Sequence, residues 1–299
     1  MADSRRVALV TCAEAADAGW DDDAPLLVAA LATRGLHGVA AVWDDPAIDW
    51  AGFDLTVVRS TWDYVPRREE FLAWADSVPR LRNGADILRW NTDKRYLSDL
   101  AEAGVPVVRT QFIEPGAAFG LPSEGDYVVK PAVSAGGRDT ARYGGGDLPA
   151  AQAQVASLLA AGRTVMVQPY LDRVKEEGET SVVYLGGAFS HAARKGELLT
   201  GPGAAVDRLD DLEVISPRTP RPEELSVAEQ VLAAVPADLL YARVDLLPDE
   251  DGSPVLLELE LTEPSLFLNR SPGAADRFAE AIARTVDEVA AQTWPQPAR

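Results

Sequence analysis

The first 90 residues alternate short apolar runs with longer stretches of helical spacing. The runs are rich in Val, Leu and Ala and have the length of buried strands. We predict strands at residues 6–11, 39–43, 54–59 and 86–89, a helix that ends near Thr33, and a helix at 67–77. Strands that alternate with helices indicate a parallel α/β sheet.

Arg59 and Ser60 end the third predicted strand. Ligands of open α/β sheets bind outside the carboxyl ends of the strands, so these two residues are candidates for binding an anionic substrate. The alternative is that Arg59 caps the strand and pairs with Asp63. The acidic run 21–23 precedes a Pro at a helix start, which is an ordinary helix signature, and we assign no function to it.

From Asn91 onward the pattern becomes that of an α+β chain. The polar triplet 91–93 predicts the cap of a helix that ends near Ala103, with Lys94 in its first turn. Further helices are predicted at 148–161, 222–235 and 274–291. Further strands are predicted at 107–112, 126–130, 140–143, 164–168, 180–185 and 188–194. Residues 195–221 lack periodicity, which predicts a long surface loop.

Residues 241–260 predict a β-hairpin, because two Val- and Leu-rich runs flank an Asp-Gly dipeptide at 251–252. A two-residue loop places Glu250 opposite Ser253. The same register places four charged residues on one face, with Asp245 opposite Glu258 and Arg243 opposite Glu260. A four-residue loop keeps these pairs, whereas a loop of odd length does not. The other face is predicted to join the core through Val244, Leu246, Leu257 and Leu259.

The acidic face of this hairpin needs a counter-charge, because like charges directly opposite each other destabilise a sheet. A divalent cation such as Mg²⁺ would supply it, since hard cations take carboxylate oxygens. The alternative is a solvated strand face with Arg243 as counter-ion, and the hairpin alone does not decide between the two.

Composition narrows the class of protein. The chain has 299 residues, about two domains by length. Its formal net charge of −19 disfavours nucleic acid and anionic membranes as partners, although a nucleotide needs only a local basic pocket. Cys12 is the only cysteine, which excludes an intrachain disulfide. No apolar stretch approaches the roughly 20 residues of a membrane helix, so we expect a cytoplasmic protein.

Lysine is rare in this chain, where 28 residues are Lys or Arg and only four are Lys: Lys94, Lys130, Lys175 and Lys195. Lys carries a compact charge on a flexible stem, which suits phosphate oxygens. For Lys175 and Lys195, mutational bias is an equally good explanation. Neither a G-x-G-x-x-G after the first strand nor a G-x-x-x-x-G-K-[ST] is present, which removes the main support for a dinucleotide oxidoreductase or a Walker-type NTPase.

A glycine pair at 136–137 lies between two predicted strands. Such a loop can expose N–H groups and close over phosphates, although most Gly-Gly pairs are plain turns. In chain order, the sequence has a Lys at a helix start, V-V-K-P, this glycine loop, V-M-V-Q-P-Y-L, G-E-T, and R-V-D followed by E-L-E.

This ordered set resembles the ATP-grasp superfamily, the fold of glutathione synthetase and D-alanine–D-alanine ligase, from about residue 91 to 271. The resemblance implies an α/β chain with a Rossmann-like N-terminal domain and two α+β domains that sandwich ATP. The implied divisions are an N-terminal domain at 1–90, a central lid at 106–169, and a C-terminal domain formed by 91–105 and 170–299.

The resemblance also implies the phosphate contacts. Lys94 and Lys130 match the family's two lysines that reach the ATP phosphates. Ser134, Gly136 and Gly137 match the flexible loop that closes over them.

The adenosine contacts are implied in the same way. Gln168 to Leu171 matches the hinge between the two sandwiching domains, where the Pro169 carbonyl and the Leu171 N–H would bind the adenine edge. The family often has Glu where Gln168 stands. Glu179 matches the acid that holds the ribose.

The implied metal ligands are Asp245, Glu258 and Glu260, with Mg²⁺ as the expected ion and Mn²⁺ as the alternative. Many family members carry Asn where Glu260 stands, so Glu260 either joins the metal or pairs with Arg243. Arg243 matches the arginine beside the transferred phosphoryl group. Arg194 follows a strand that ends near the same cleft, and a similar catalytic role is expected for it.

The implied activity is that of an ATP-dependent ligase, which converts a substrate carboxylate to an acylphosphate that an amine then attacks. The chain length and the residue pattern near the first domain and the hairpin are similar to those of the ATP-grasp cyclo-ligases that close O-ureido-D-serine to D-cycloserine. In those enzymes the attacking nitrogen belongs to the substrate itself. The expected partner is thus a small amino-acid-like substrate, and a homo-oligomer is possible. The alternatives left open are a ligase that joins two molecules, a nucleotide-binding protein without chemistry, and a purely structural α/β protein.

Overall fold

The structure, a computed structural model, describes residues 5–199 and 214–293. The strands are β1 (Arg5–Thr11), β2 (Leu36–Val42), β3 (Leu55–Ser60), β4 (Leu81–Arg82), β5 (Gln111–Ile113), β6 (Tyr127–Pro131), β7 (Ala141–Tyr143), β8 (Val165–Pro169), β9 (Glu179–Leu185), β10 (Ala188–Lys195), β11 (Ile215–Arg218), β12 (Tyr241–Pro248) and β13 (Pro254–Glu260). The α-helices are α1 (Ala13–Ala18), α2 (Asp23–Ala32), α3 (Arg68–Ser77), α4 (Ala85–Asn91), α5 (Tyr96–Glu102), α6 (Leu148–Ala160), α7 (Val174–Glu177), α8 (Pro222–Ala233) and α9 (Ala274–Thr293).

The N-terminal third forms a parallel sheet in the order β2-β1-β3-β4. The first three predicted strands are confirmed as β1, β2 and β3, and the two predicted helices as α2 and α3. Every residue of β3 is buried, as expected for a central parallel strand covered on both faces.

The strand predicted at 86–89 is wrong, because these residues belong to helix α4. Leu88 is buried in the N-terminal core, whereas its neighbours Ile87 and Trp90 pack against the core of the third sheet. The helix therefore lies between two cores. A four-residue window shows too little of the helical period to distinguish such a segment from a strand.

The helix cap predicted at 91–93 is also wrong. Asn91 ends α4, and its buried amide bonds the chain around the end of β13: Nδ2 donates to the Leu259 carbonyl at 2.8 Å and Oδ1 accepts from Leu261 N–H at 2.8 Å. The next helix begins at Tyr96. Lys94 therefore lies ahead of α5 and not in its first turn.

The second sheet is antiparallel, in the order β5-β8-β6-β7, and α6 packs against it. The third sheet is also antiparallel, in the order β11-β10-β9-β12-β13, and its core includes residues of α5 and α8. The three sheets fall within the three predicted domain ranges, but the boundaries themselves stay a prediction. Strand β11 was missed within 195–221, and residues 200–213 of that stretch lie outside the described part of the chain.

Strands β12 and β13 form the predicted hairpin. Arg243 faces Glu260 and Asp245 faces Glu258, as the sequence predicts. Strand β12 also pairs with β9, so the acidic positions occupy a central strand and its edge neighbour rather than an isolated ribbon.

The loop of this hairpin differs from the prediction. Asp249 N–H donates to the Ser253 carbonyl at 2.8 Å, so three residues separate the pair and Glu250 does not face Ser253. Gly252 has a φ of +86°, which suits the last position of a three-residue loop. A β-bulge after Asp245 compensates for the odd loop length and restores the predicted pairs of charged residues.

The bulge displaces Leu257 from its predicted position in the core. Leu246 pairs with Leu256 instead, and Leu257 is only partly buried, beside Val108 and Leu171. Val244, Leu246 and Leu259 lie in the core of the third sheet, as predicted.

The long helix α9 joins the first and third sheets. Phe278 on α9 packs in one core cluster with Leu9 and Val57 of the first sheet and Val183 and Tyr241 of the third. The two sheets therefore share a core, which fixes the N-terminal domain against the hairpin. No helix in the described part of the chain is both long enough and apolar enough to cross a membrane.

Candidate active site

A cleft of about 380 Å³ lies between the charged face of the β12–β13 hairpin, the loop after β6 and the N-terminal sheet. Most of the predicted site residues line it. They are Lys94, Lys130, Ser134, Gly136, Gly137, Glu179, Arg243, Asp245, Glu258 and Glu260.

Arg243 neutralises two carboxylates on the charged face of the hairpin. Its Nη2 lies 2.8 Å from Asp245 Oδ2 and also pairs with Glu260. Its Nη1 donates to the Ser265 carbonyl at 3.0 Å. Burial would raise the pKa of Asp245, but Arg243 and Lys195 outweigh it and hold that pKa well below its usual range. Asp245 is therefore ionised at neutral pH.

Three of the four lysines converge on this face. Lys94 Nζ lies 3.0 Å from Glu258 Oε1 and donates to the Ser134 carbonyl at 2.7 Å. Lys195 Nζ lies 3.0 Å from Asp245 Oδ2 and also pairs with Glu179. Burial lowers the pKa of Lys130, while Glu258 acts to raise it. All three side chains are buried, so the cleft concentrates cations in a strongly acidic chain.

Glu258 and Glu260 differ in ionisation although they lie two residues apart. Burial would raise the pKa of Glu258, but Lys94 and Lys130 outweigh it and the pKa is lowered. Burial raises the pKa of Glu260 to about 7, against the opposing effect of Arg243. Glu258 is thus the better oxygen donor to a cation. Glu260 pairs with Arg243. The sequence left two roles open for Glu260, metal binding or this ion pair, because many family members carry Asn at this position.

The glycine loop begins against Lys94. Ser134 Oγ lies 3.2 Å from Lys94 Nζ, so a hydroxyl and a lysine meet at the start of the loop. Gly136 and Gly137 have φ angles of +61° and +66°, which residues with a side chain rarely adopt. The sequence thus allows the backbone to turn twice at the rim of the cleft.

The hinge residues lie beside the cleft rather than among the residues that line it. Gln168 donates to Thr110 Oγ1 at 2.9 Å, and Pro169 pairs with Tyr127 across the second sheet. Leu171 packs in one small apolar cluster with Leu257. The predicted contacts of the Pro169 carbonyl and the Leu171 N–H with adenine stay a prediction.

Arg59 and Ser60 do not reach the cleft, contrary to their predicted substrate contact. Arg59 is only 2% exposed and lies over the rings of Tyr241 and Phe278. Its guanidinium lies 3.5 Å from Asp23 and donates to the Pro264 carbonyl at 3.1 Å. Ser60 donates to Thr11 Oγ1 at 2.9 Å. Both are buried because the sheet and α9 cover the end of β3.

Arg194 does not line the cleft either. Its Nε donates to the Glu177 carbonyl at 2.8 Å and its Nη2 to the Glu176 carbonyl at 3.0 Å, which ties β10 to α7. Side chains alternate along a strand, so its neighbour Lys195 occupies the cleft face instead. The rarity of lysine was the sequence signal that could have selected Lys195.

The acidic run 21–23 has a role that the sequence did not suggest. Asp23 is buried and accepts hydrogen bonds from Leu266 N–H and Leu268 N–H, both at 2.7 Å. Burial raises its pKa, while the guanidinium of Arg59 opposes that effect. Asp23 thereby connects helix α2 of the N-terminal domain to the segment after β13, which a local pattern cannot show.

The carboxylates of the cleft supply the oxygen donors that Mg²⁺ requires. The described residues contain no group of three His, Cys, Asp or Glu side chains already converged as a metal centre. Asp245 and Glu258 nevertheless face the same cleft from opposed positions and offer the hard oxygens that Mg²⁺ takes. Two protein carboxylates together with substrate phosphates form a common Mg²⁺ environment, so these residues fit the ion.

Comparisons with known proteins agree with this geometry. Residues 7–83 match the family model of the D-cycloserine synthetase DcsG N-terminal domain. The chain is 37% identical over 295 residues to the cycloserine biosynthesis protein DcsG of Streptomyces lavendulae, which covers 93% of this chain and 97% of that protein. The crystal structure of D-cycloserine synthetase DcsG superposes with a TM-score of 0.84 and 36% identity, over 94% of this chain and 99% of that one.

More distant structures show the fold. D-alanine–D-alanine ligase from Bacillus anthracis, complexed with ATP, has a TM-score of 0.65 at 14% identity and covers 97% of this chain and 100% of that one. The predicted ATP-grasp fold and the predicted ligase class are confirmed. The chain is an ATP-dependent ligase of the ATP-grasp superfamily and belongs to the D-cycloserine synthetase family.

Proposed function

We propose that this ligase closes O-ureido-D-serine to D-cycloserine at the expense of ATP. The observation that carries the proposal is the cleft itself, where three buried lysines meet Asp245 and Glu258 in a chain of the D-cycloserine synthetase family. Lysines suit phosphate oxygens and the carboxylates suit a divalent cation.

ATP would bind with its phosphates against Lys94, Lys130 and Lys195. The loop at 134–137 would cover the phosphates, and Glu179, which pairs with Lys195, would hold the ribose. The adenine edge would meet the hinge at Pro169 and Leu171, with Leu257 beside it as an apolar wall. Lys195 joins this group because the structure places it on the cleft face.

Asp245 and Glu258 would hold Mg²⁺, or Mn²⁺, in the same cleft. When bound, such an ion offsets the charge that develops as a phosphoryl group is transferred. Glu260 would stay with Arg243 and fix the direction of that guanidinium.

The chemistry begins with transfer of the ATP γ-phosphoryl group to the substrate carboxylate, which yields an acylphosphate and ADP. The ureido nitrogen bonded to oxygen then attacks the acyl carbon, and inorganic phosphate leaves as the ring closes. The carbamoyl group is lost by hydrolysis, as carbon dioxide and ammonia, because the product lacks it. Arg243 would stabilise the oxyanion of the tetrahedral intermediate, and the cleft would supply positioning and charge stabilisation.

The location proposed for this activity is the cytoplasm. Cys12, the only cysteine of the chain, is buried and free in the structure, which fits a reducing compartment.

The test is an ADP-release screen over a panel of amino acids, with and without added amines. We expect release with O-ureido-D-serine and Mg²⁺ alone, at a rate that added amines do not change. Release only when a second amine is present would replace ring closure by intermolecular ligation. ATP binding without ADP release across the panel would indicate a protein without chemistry.

A further inference from the structure

We propose that Glu263 is the specificity residue that binds the α-ammonium group of the amino-acid substrate. This inference rests on the proposed function, because it requires an amino acid in the cleft. Glu263 lies three residues beyond β13, lines the cleft, and was not among the residues selected from the sequence.

The backbone around Glu263 is fixed by side chains from elsewhere in the fold. Four consecutive carbonyls, from residue 262 to 265, each accept a hydrogen bond from a different side chain. The donors are Tyr241 Oη at 2.8 Å, Trp62 Nε1 at 3.1 Å, Arg59 Nη2 at 3.1 Å and Arg243 Nη1 at 3.0 Å. Asp23 then accepts from the backbone N–H groups of residues 266 and 268. The backbone position from which the Glu263 side chain extends is therefore fixed, as substrate positioning requires.

Glu263 differs from the other carboxylates of the hairpin face in its partners. Asp245 and Glu260 pair with Arg243, and Glu258 pairs with Lys94. Among the described residues, no cationic side chain forms an ion pair with Glu263, whose carboxyl instead interacts with the hydroxyl of Tyr64. A carboxylate that is partly removed from water and lacks a cation is costly to ionise, and a ligand cation in the cleft would relieve that cost.

The ionisation of Glu263 agrees with this partner set. Burial, followed by the charge of Glu260, raises its pKa to about 8. Lys94 opposes the shift, but its ammonium is already engaged by Glu258 and Ser134.

The position of Glu263 also suits the geometry of an amino acid. The α-nitrogen of an amino acid is two bonds from its carboxylate carbon, so the two groups must lie close together in the site. The proposed function places the reacting carboxylate near Arg243, whose guanidinium holds the carbonyl of Ser265. Glu263 lies two residues before Ser265 on the same fixed segment, and it lines the same cleft as Arg243. Its carboxyl is thus placed to meet an ammonium on the reacting molecule.

The test pairs a variant with a substrate analogue. Steady-state ADP release is measured for the wild-type enzyme and for Glu263→Gln. Each enzyme is given the amino-acid substrate identified in the ADP-release screen and, separately, the analogue of that substrate that lacks the α-amine. We expect Glu263→Gln to lower kcat/KM for the amino acid by about 10- to 100-fold, mostly through KM, the range for a lost charged hydrogen bond. For the desamino analogue, the two enzymes should differ by less than about 3-fold, because the partner is already absent.

Two further variants separate recognition from folding and from net charge. Glu263→Asp, which keeps the charge on a shorter arm, should recover part of the loss. Glu250→Gln removes the same charge from the exposed tip of the hairpin and should behave as wild type. Two results would overturn the assignment of Glu263 to the α-ammonium group. One is an equal loss of kcat/KM in Glu263→Gln for the amino acid and for its desamino analogue. The other is a wild-type enzyme that does not prefer the amino acid over that analogue. An enzyme that uses another amino acid instead of O-ureido-D-serine would refute the proposed function but leave this comparison decisive.

Discussion

Arg194 and Lys195 are neighbours on β10, yet their side chains lie on opposite faces of the sheet. Arg194 ties down the carbonyls of residues 176 and 177, whereas Lys195 lies between Glu179 and Asp245 in the cleft. One residue along the strand separates a cation that supports the fold from a cation that lines the cleft. The functional assignment therefore depends on which face of the strand a side chain occupies as much as on its residue type.

Lys195→Met should lower the rate of ADP release by about 100-fold, because it removes a buried charge from the proposed phosphate site. The matched control is Lys175→Met, since Lys175 is exposed, pairs with Asp172 and is not among the residues that line the cleft. That variant should stay within about 2-fold of wild type. Equal loss in both variants would show that Lys195 has no special place in the reaction. Melting temperatures of both variants, measured alongside, separate activity from folding.

The pKa of Glu263 has a consequence for stability. A Glu that titrates near 4.5 in the unfolded chain and at about 8 in the folded protein binds more protons in the folded state between these values. The free energy of unfolding that this group contributes therefore falls as pH rises from about 4.5 to 8 and is level outside that window.

Glu263→Gln removes this titration, so the variant should gain stability relative to wild type as pH rises from 5 to 8. Urea unfolding of the two proteins at several pH values measures the difference. A difference that is constant with pH, or that grows in the opposite direction, would contradict the raised pKa.

At the scale of elements, the hairpin could be predicted because two Val- and Leu-rich runs flank an Asp-Gly dipeptide. The pairing of charged residues was predicted correctly, although the loop has three residues, because the bulge after Asp245 compensates for it. Bulges depend on contacts between strands rather than on local pattern, which is why the displacement of Leu257 could not be foreseen.

Leu257 and Leu259 provide a direct comparison of a partly buried and a fully buried leucine on one strand. Leu259 is 1% exposed in the core of the third sheet, so Leu259→Ala should lower the free energy of unfolding by about 2–5 kcal/mol. Leu257 lines the cleft, so Leu257→Ala should lower stability much less and raise the KM for ATP several-fold. Urea unfolding and ADP-release kinetics on both variants test this. A larger stability loss at Leu257 would place it in the core, as the unbulged register requires.

The two failed element predictions lie on or beside helix α4, which packs between the cores of the first and third sheets. Asn91 has the local signature of a helix cap, but it uses its amide to hold the backbone at residues 259 and 261. Tertiary hydrogen bonds of this kind override a local cap signal.

At the scale of the whole molecule, the N-terminal domain contributes supports to the site rather than the predicted substrate contact. Arg59 and Asp23 form a buried ion pair. Both also hydrogen-bond to the backbone of the segment after β13, Arg59 at residue 264 and Asp23 at residue 266. The order of motifs was enough to predict the fold, and most of the site residues predicted from it line the cleft. These supports could not be predicted, because they join positions more than 200 residues apart.

Asp23→Asn should lower the free energy of unfolding by about 3 kcal/mol, because it leaves the buried Arg59 without its counter-charge. It should also raise the KM for the amino-acid substrate, since the segment that bears Glu263 loses a tether. The neighbouring Asp22 is exposed, and Asp22→Asn should change stability by less than about 0.5 kcal/mol. Chemical denaturation of both variants provides the measurement, and similar losses in the two would contradict this role for Asp23.

The measurement that tests the central claim most directly is the stoichiometry of the reaction with O-ureido-D-serine, ATP and Mg²⁺ and no other amine. We expect one D-cycloserine, identified by mass, for each ADP released, and no product from Asp245→Asn, whose site lacks one of the two proposed metal carboxylates. ADP release without D-cycloserine, or full turnover by Asp245→Asn, would contradict this account.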